Sequence, residues 1–258
     1  LNFKDKYTEG KDEDKWLRFI WDEARSKAKD EGFTLPEFDK FWKNGFQEVL
    51  SPKKQTILLE QFRKDPEKNP ISTPSGKIEI FSETVDSFNY EDCPGHPAWL
   101  EQEEWLGSNL SKQYPLQLIS GQPHNRLHSQ LDNGSESQSY KILGREPIKI
   151  HPQDAQSRRL VDGDIVEVFN KRGKCLAGVI VSNEVMKGVV FLPVGAWYDP
   201  INDGEFCIHG NPNVLTEDIG TSSLAQGPSA HSTLVEIKKY TKELPEINIL
   251  HKPNIVNK

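Results

Sequence analysis

Residues 120–131 carry one of the densest groups of potential ligand-binding side chains in the chain, with two histidines, an arginine, two serines and two glutamines. Imidazole and guanidinium groups donate hydrogen bonds to phosphate, and side-chain amides match the edges of heterocycles. Because residues 114–119 alternate like a strand and Gly121 and Pro123 then break it, we predict an irregular loop here. Such a loop suits a polar, partly anionic ligand rich in ring nitrogens and oxygens, although a merely solvated loop is the alternative.

Two other kinds of site use similar residue types. His124 and His128 are four residues apart, a spacing that suits zinc only on a helix, and the glutamate of an HExxH sequence is missing between them. A hydrolase could use His231, Asp218 and a serine, but the chain contains no GxSxG sequence. The three cysteines, Cys93, Cys175 and Cys207, are isolated and lack the CxxC spacing of a metal or redox motif. We therefore predict no catalytic and no metal-ligating residue in this chain.

A second polar segment, residues 195–229, is unusually long for a connection in a compact β domain. Loops of this length are functional or disordered in most cases. Here amides and small residues alternate with apolar anchors at Val214, Leu215 and Leu224. We therefore predict an ordered binding loop.

Short strands are the elements that would position both segments. Alternating or continuous apolar runs predict strands at residues 116–119, 147–150, 164–170, 174–182, 188–193 and 232–238. A hairpin turn is predicted at residues 169–174, with Gly173 suited to a positive φ. Residues 151–164 indicate a short helix and a turn before the third strand. Six short strands with long interrupting loops favour a small closed β-barrel over an open sheet.

The N-terminal part differs in character, and its apolar spacing predicts helices at residues 13–29 and 36–46. Beyond them we predict a loop at 61–69, a strand at 77–81 and a short helix at 99–106. The predicted organisation is a helical segment of a preceding domain (1–70), a connector (71–113), the barrel (114–240) and a tail (241–258). The tail, with Pro245 and Pro253 among polar residues, is expected to trail over the surface.

Composition limits the classes of partner. The 258 residues carry a formal net charge of -7 and no basic stripe, so we expect no nucleic-acid partner. The apolar runs are too short to span a membrane. The sequence begins at Leu1 and its only methionine is Met186, so we expect a processed chain or a piece of a longer one.

Several phrases occur together and in order, and they resemble one enzyme family. They are residues 121–131, 151–164, 195–200 and 213–227, preceded by 16–18, 73–80 and 93–97. The chain resembles the C-terminal part of the dimethyl sulfoxide, trimethylamine N-oxide and biotin sulfoxide reductases, which are bacterial molybdenum enzymes. This resemblance covers nearly all of residues 10–240. It implies a six-stranded double-psi β-barrel that closes over molybdenum bis(molybdopterin guanine dinucleotide), a cofactor bound largely with upstream domains.

The resemblance also implies roles for particular residues. Gln122, His128 and Ser129 match positions that contact the pterin and phosphate portions of the cofactor. Asn213 and Gln226 match late positions that reach it, and Arg126 is expected to face diphosphate charge. Trp197 and Tyr198 are expected either in the substrate funnel or in the core.

The residues that ligate and surround molybdenum come from earlier domains in this family, so the segment alone is expected to be inactive. The expected partners are upstream domains of the same polypeptide, a small S-oxide or N-oxide substrate and an external electron donor. A periplasmic location is expected, with a cytoplasmic one as the alternative. A stand-alone barrel that binds a nucleotide or a protein partner is the alternative function.

Overall fold

The computed structural model of the chain describes residues 3–49, 57–201, 204 and 206–252. The chain divides into two compact units, Leu1–Ile78 and Glu79–Lys258. None of the helices in the described part of the chain has both the length and the apolar character needed to cross a membrane. The four-part organisation predicted from the sequence stays a prediction.

The described residues of the first unit form helices α1 (Lys4–Thr8), α2 (Glu13–Asp30), α3 (Phe38–Asn44) and α4 (Glu60–Lys64). Helix α2 begins after Asp12, whose carboxylate accepts the Lys15 N–H and thereby satisfies one free donor of the first turn. Trp21 of α2 stacks on Phe41 of α3 with a centroid separation of 3.7 Å. The helices predicted at 13–29 and 36–46 are therefore confirmed. The loop predicted at 61–69 is wrong in its first half, where α4 forms.

Six strands of the second unit close into a barrel. They are β1 (Leu116–Ile119), β2 (Pro147–Ile150), β3 (Ile165–Phe169), β4 (Lys174–Val181), β5 (Val189–Phe191) and β8 (Leu234–Lys239). Their order is β2-β5-β1-β8-β3-β4, and the pairing of β2 with β4 closes the ring. The β1–β5 and β2–β4 pairs are parallel, and the other pairs of the ring are antiparallel. The predicted six-stranded double-psi barrel after a helix-rich segment is confirmed.

The barrel core is made by the alternation that predicted the strands. Leu116 and Leu118 of β1 and Ile148 and Ile150 of β2 are completely buried, or nearly so, while the residues between them are partly exposed. Burying each such side chain contributes about 1.5–3 kcal/mol relative to leaving it in water. The residues of a strand that point into the barrel therefore determine which side chains at its ends face the neighbouring loops.

Two short predicted elements of the second unit are wrong. Residues 77–81 form no strand and belong to none of the strands of the sheet in the described chain. Residues 99–106 form no helix, because Glu104 instead binds Arg172 and the Leu234 N–H through both carboxylate oxygens. A third expectation, a positive φ at Gly173, is also wrong. The predicted hairpin does form, and its turn is held by the Asn170 side chain, which accepts the Arg172 N–H at 2.9 Å.

The late segment and the tail both pack on the barrel. Residues 195–229 include β6 (Pro200–Ile201), β7 (Phe206–Cys207) and a 3-10 turn (Pro212–Val214), so the ordered loop predicted here is confirmed for its described residues. In the tail, the N–H groups of Asn248 and Ile249 donate to the Asp199 carboxylate at 2.7 and 3.1 Å. As predicted, the tail lies at the surface as far as residue 252, where none of its residues is buried, and these bonds hold it on the barrel. Pro253 lies outside the described residues.

Three short helices and one 3-10 turn complete the described part of the second unit before the late segment. Helix α5 (Glu83–Asp86) and the 3-10 turn (Asn109–Lys112) precede the barrel, whereas α6 (Ser135–Ser139) and α7 (Pro152–Ser157) lie between strands. Helix α7 confirms the short helix predicted within residues 151–164, and His151 caps it by accepting the Gln153 N–H. Helix α6 lies between residues 120–131, which we call the donor-rich loop, and β2. It therefore connects segments that form the candidate site.

Candidate functional site

A cleft of about 1040 Å³ opens beside the carboxyl ends of β1 and β5. Because β1 and β5 are parallel, the loops that follow them leave the barrel at the same edge. Four of the six residues predicted to bind a ligand line this cleft: Gln122, His128, Ser129 and Asn213. Trp197 and Tyr198 line it as well, which places both aromatic rings at the cleft wall. Arg126 and Gln226 do not line it.

The loop after β1 and the loop after β5 are fitted closely together. The Val194 N–H donates to Gly121 O at 3.1 Å. Gly195 follows with φ +97°, a conformation that residues with a side chain rarely adopt. A Cβ atom at Gly195 would lie 1.8 Å from His128 O, far inside van der Waals contact. The cleft therefore requires glycine at this position.

Arg126 lies beneath the cleft, with its guanidinium fully buried. Its Nη2 donates to Glu146 Oε1 at 2.9 Å and to Val194 O at 2.7 Å. Its Nε lies 3.7 Å from Asp132 Oδ1. Its Nε and Nη1 have no hydrogen-bond partner among the described residues, but both are buried and Arg126 does not line the cleft, so this placement gives no support to the expected phosphate contact. It supports a role in holding the two loops.

Lys141 completes the charge balance under the cleft. Its Nζ lies 2.8 Å from Asp132 Oδ1 and 2.7 Å from Glu146 Oε2, and all three side chains are buried. Two cations therefore face two carboxylates, and the group is neutral overall. We call Arg126, Asp132, Lys141, Glu146 and His209 the floor cluster.

His209 joins the floor cluster to the late loop. Its Nδ1 lies 3.0 Å from Trp197 O, and because a carbonyl can only accept, Nδ1 carries the hydrogen. Its Nε2 is buried without a hydrogen-bond partner among the described residues. Burial, followed by the nearby Lys141 charge, lowers the pKa of His209 below 6.5 and keeps the ring neutral.

Asp132 is the most heavily used member of the cluster. Its Oδ2 accepts the backbone N–H of Trp197 at 2.9 Å, while Lys141 binds its Oδ1. Burial by itself would raise the pKa of this carboxyl, but the hydrogen bonds from Lys141 and from the Trp197 N–H together outweigh burial and lower it. Asp132 is therefore ionised at neutral pH and links the donor-rich loop to the wall residue Trp197.

The late-loop residues are positioned by their own turns. Asn211 caps the 3-10 turn Pro212–Val214 by accepting the Asn213 N–H at 2.8 Å, which leaves the Asn213 side chain exposed at the cleft. Gln226 instead belongs to a separate turn, where its Nε2 donates to Ser222 O at 3.1 Å. The structure brings Asn213 to the predicted group and leaves Gln226 outside the cleft.

His231 and Ser120 also line the cleft, together with Asp218. The His231 Nδ1 accepts the backbone N–H of Ser120 at 3.3 Å, so the neutral ring carries its hydrogen on Nε2. In the described part of the chain, no hydrogen bond joins His231 to Asp218 or to the Ser120 hydroxyl. These residues therefore lack the bonded arrangement of a nucleophilic triad.

Sequence reasoning missed most of the cleft floor. Asp132, the segment from Lys141 to Glu146, and His209 are separate in the chain, and a buried charge has no sequence signature that distinguishes it from an exposed one. Only Gly195 carried a signal, since a glycine close to the end of a strand can mark a close backbone approach. The described residues contain no group of three or more potential metal ligands.

Most of the residues that line the cleft lie within a stretch that matches a known protein family. Residues 116–234 match the family model of the molydopterin dinucleotide binding domain. Trimethylamine-N-oxide reductase of Haemophilus influenzae is 45% identical, with 98% of this chain and 31% of the relative aligned. Trimethylamine-N-oxide reductase 1 of Escherichia coli K12 is 47% identical over 96% of this chain and 30% of its own length. Dimethyl sulfoxide/trimethylamine N-oxide reductase of Rhodobacter capsulatus is 43% identical over 91% of this chain and 29% of its own length.

The chain thus spans about 30% of the length of the curated relatives that it matches. Among solved structures, acetylene hydratase from Pelobacter acetylenicus superposes with a TM-score of 0.55 at 20% identity. That superposition covers 80% of this chain and 28% of the hydratase. At this identity the likeness concerns the fold alone.

Proposed function

We propose that the cleft of this chain binds part of a molybdenum bis(molybdopterin guanine dinucleotide) cofactor. The chain is the C-terminal part of a molybdopterin oxidoreductase of the dimethyl sulfoxide and trimethylamine-N-oxide reductase type. The rest of the cofactor is held by upstream domains of the same polypeptide. The observation that carries the proposal is the convergence of Gln122, His128, Ser129 and Asn213 on one cleft inside the matched domain.

The donors of this cleft fit a pterin and a phosphate. Amide side chains can pair with a heterocycle edge that presents a carbonyl beside N–H groups, as Gln122 and Asn213 can. The hydroxyl of Ser129 and the imidazole of His128 can donate to phosphate oxygens. The cleft volume of about 1040 Å³ is at the upper end of the range for small-molecule sites, as a large dinucleotide requires.

The role proposed for each residue follows its position. Gln122, whose Nε2 donates to Arg126 O at 2.6 Å, keeps its side-chain oxygen as an acceptor at the cleft. His128, Ser129 and Asn213 act as direct contacts. Gln226 acts through the turn that it stabilises, and Arg126 acts from the floor. These assignments replace a direct phosphate contact for Arg126.

The reaction proposed for the whole enzyme is oxygen-atom transfer from a small S-oxide or N-oxide, with an external donor supplying electrons. When bound, the cofactor would supply the redox and oxygen-atom-transfer chemistry. The residues of this chain bind and orient the cofactor and close one side of its site, and none of them is proposed as catalytic. A periplasmic location accords with the resemblance.

The proposal is tested by cofactor content in the full-length protein. We expect His128→Ala and Asn213→Ala to lower the molybdenum and guanine nucleotide recovered per protein molecule. His124→Ala is the matched control, because His124 is an exposed histidine of the same loop that does not line the cleft. Equal cofactor content in all three variants and the wild type would count against the cleft. It would favour the stand-alone binding module.

A further inference from the structure

We infer that the floor cluster is a positioning device that holds the ligand-binding loops in a strained arrangement before any ligand binds. None of the five residues of the floor cluster lines the cleft. They act through the backbone of the loops that do. Their effect on the cofactor rests on the function proposed above. Their effect on the loop geometry does not.

Three of the seven non-glycine residues with a positive φ in the described chain lie between members of the cluster. His128, Leu131 and Leu143 have φ of 50°, 59° and 48°, in the left-handed region that side chains disfavour. His128 and Leu131 lie between Arg126 and Asp132 in the chain, and Leu143 lies between Lys141 and Glu146. Each strained residue is therefore bracketed by two charged members of the cluster.

Side-chain packing does not explain these conformations. Leu131 is 74% exposed and Leu143 is 63% exposed, so neither leucine is fixed by contacts with the core. Strained residues persist only where the surrounding structure enforces them. Leu143 and Gly144 (φ +79°) form a two-residue hairpin turn that is closed by two backbone hydrogen bonds between Ile142 and Arg145, so a local turn accounts for Leu143. For His128 and Leu131 the enforcement comes from the ion pair at the ends of their segment. Arg126 and Asp132 face each other at 3.7 Å, and Lys141 and Glu146 face each other at 2.7 Å.

The same cluster fixes the opposite wall of the cleft. Asp132 accepts the Trp197 N–H and His209 donates to Trp197 O, so both backbone groups of this wall residue are bound by the floor. Arg126 binds Val194 O, at the start of the same wall. One cluster therefore sets the spacing between His128 and Ser129 on one side and Trp197 on the other.

An ionic cluster is suited to fixing geometry more than to adding stability. Buried ion pairs add little over apolar side chains of the same volume, because desolvation offsets their attraction. Their hydrogen bonds are directional, however, and an unpaired member would be strongly unfavourable. Each cation of the cluster faces both carboxylates, so every charge is neutralised only when all four side chains are in place. This requirement specifies a single loop conformation.

The test compares hydrogen exchange in the full-length protein, prepared from cells that cannot make the cofactor. Lys141→Met removes the cation that bridges Asp132 and Glu146. We expect peptides spanning 127–131 and 194–198 to exchange roughly a hundredfold faster, the factor expected when one partner of a buried ion pair is lost. Strands β2 and β4 should change much less. Lys149→Met is the matched control, because Lys149 pairs with Glu184 at the surface.

A merely structural role is separated by a second pair of variants. Val179→Ala, in the barrel core, should accelerate exchange throughout the barrel without favouring the two loop peptides. Lys141→Met combined with Glu146→Gln keeps the cluster neutral, so it should recover thermal stability and still exchange fast in both loops. Lys141→Arg should restore slow exchange. When the cofactor is present, its dissociation rate should be highest in the variants whose loop peptides exchange fastest.

Loop exchange that is unchanged in Lys141→Met and in the neutral double variant would overturn the inference. So would loop exchange that rises only in proportion to the rest of the barrel, as in Val179→Ala. A full-length protein that never contains molybdenum would refute the proposed function, while the exchange result would still decide the positioning role.

Discussion

The rim and the floor of the cleft use polar residues in opposite ways. At the rim, His128, Ser129 and Asn213 are exposed and leave side-chain donors free for a ligand. In the floor, Arg126 and Asp132 are completely buried and paired within the protein. The difference teaches that the binding chemistry and the binding geometry are assigned to different residues. Damage to the floor should therefore cost stability and shape, whereas damage to the rim should cost affinity alone.

The largest effect is expected at Asp132. Replacing it with Ala leaves Lys141 buried with only Glu146 as its counter-charge and leaves the Trp197 N–H without its acceptor. Removing one partner of a buried ion pair typically costs about 3–5 kcal/mol. Urea unfolding of the 258-residue chain measures the loss. Asp39→Ala is the control, since Asp39 pairs with Arg18 at an exposed site and should cost under about 1 kcal/mol. Equal losses would remove the distinction between floor and surface.

Gly195 tests the junction between floor and rim. Gly195→Ala would place its Cβ against His128 O in a backbone conformation that alanine disfavours, and we expect a loss of about 3 kcal/mol. Gly163→Ala is the matched control, because Gly163 also has a positive φ, of +83°, but its Cβ would meet no atom within 4 Å. That variant should lose only about 1 kcal/mol. If the two variants unfold at the same urea concentration, the close approach is unimportant.

The pKa of His209 predicts how the floor responds to pH. Because burial lowers the folded-state pKa below 6.5, the unfolded chain binds the proton first as the pH falls. Stability should therefore be constant in this respect above pH 6.5 and should decrease between 6.5 and the folded-state pKa, by at most about 1.4 kcal/mol per pH unit. His209→Gln should flatten this slope in unfolding measurements. A slope that persists unchanged in the variant would assign it to other groups.

The smallest effect on stability is expected at the rim. Gln122 is exposed and makes one side-chain bond, to Arg126 O, so Gln122→Ala should change the unfolding free energy by less than about 0.5 kcal/mol. Cofactor content in the full-length protein should nevertheless fall. Gln130→Ala, at an exposed glutamine of the same loop outside the cleft, should change neither quantity. A stability loss as large as that of Asp132→Ala would show that Gln122 belongs to the floor.

The barrel could be predicted from the sequence because its signals are local. Alternation in β1 and β2 and the turn before Lys174 indicated strands to within two residues at either end. The rim residues were accessible to the same reasoning, since polar types crowded in one loop indicate a ligand. Arg126 shows the limit of this approach. It stands in that loop among ligand-binding residues, yet tertiary contacts with Glu146 and Asp132 bury it.

Gln226 and Glu104 show the same limit from other directions. Gln226 was grouped with Asn213 because the family resemblance implied that both reach the cofactor, but a turn of its own directs its side chain to Ser222 O. Glu104 was expected on a helix, and a distant Arg172 draws it into an ion pair instead. The partner of Glu104 is remote in the chain, so no local pattern could reveal it, whereas Gln226 is held by a turn of only a few residues.

The central claim is that this cleft closes a molybdenum cofactor bound mainly by upstream domains. The most direct test is the intact mass and metal content of the protein purified from its native source. We predict a polypeptide far larger than the 29.4 kDa of this chain, with about one molybdenum per molecule. A native protein of 29.4 kDa without molybdenum would contradict the claim and make the barrel a separate binding module.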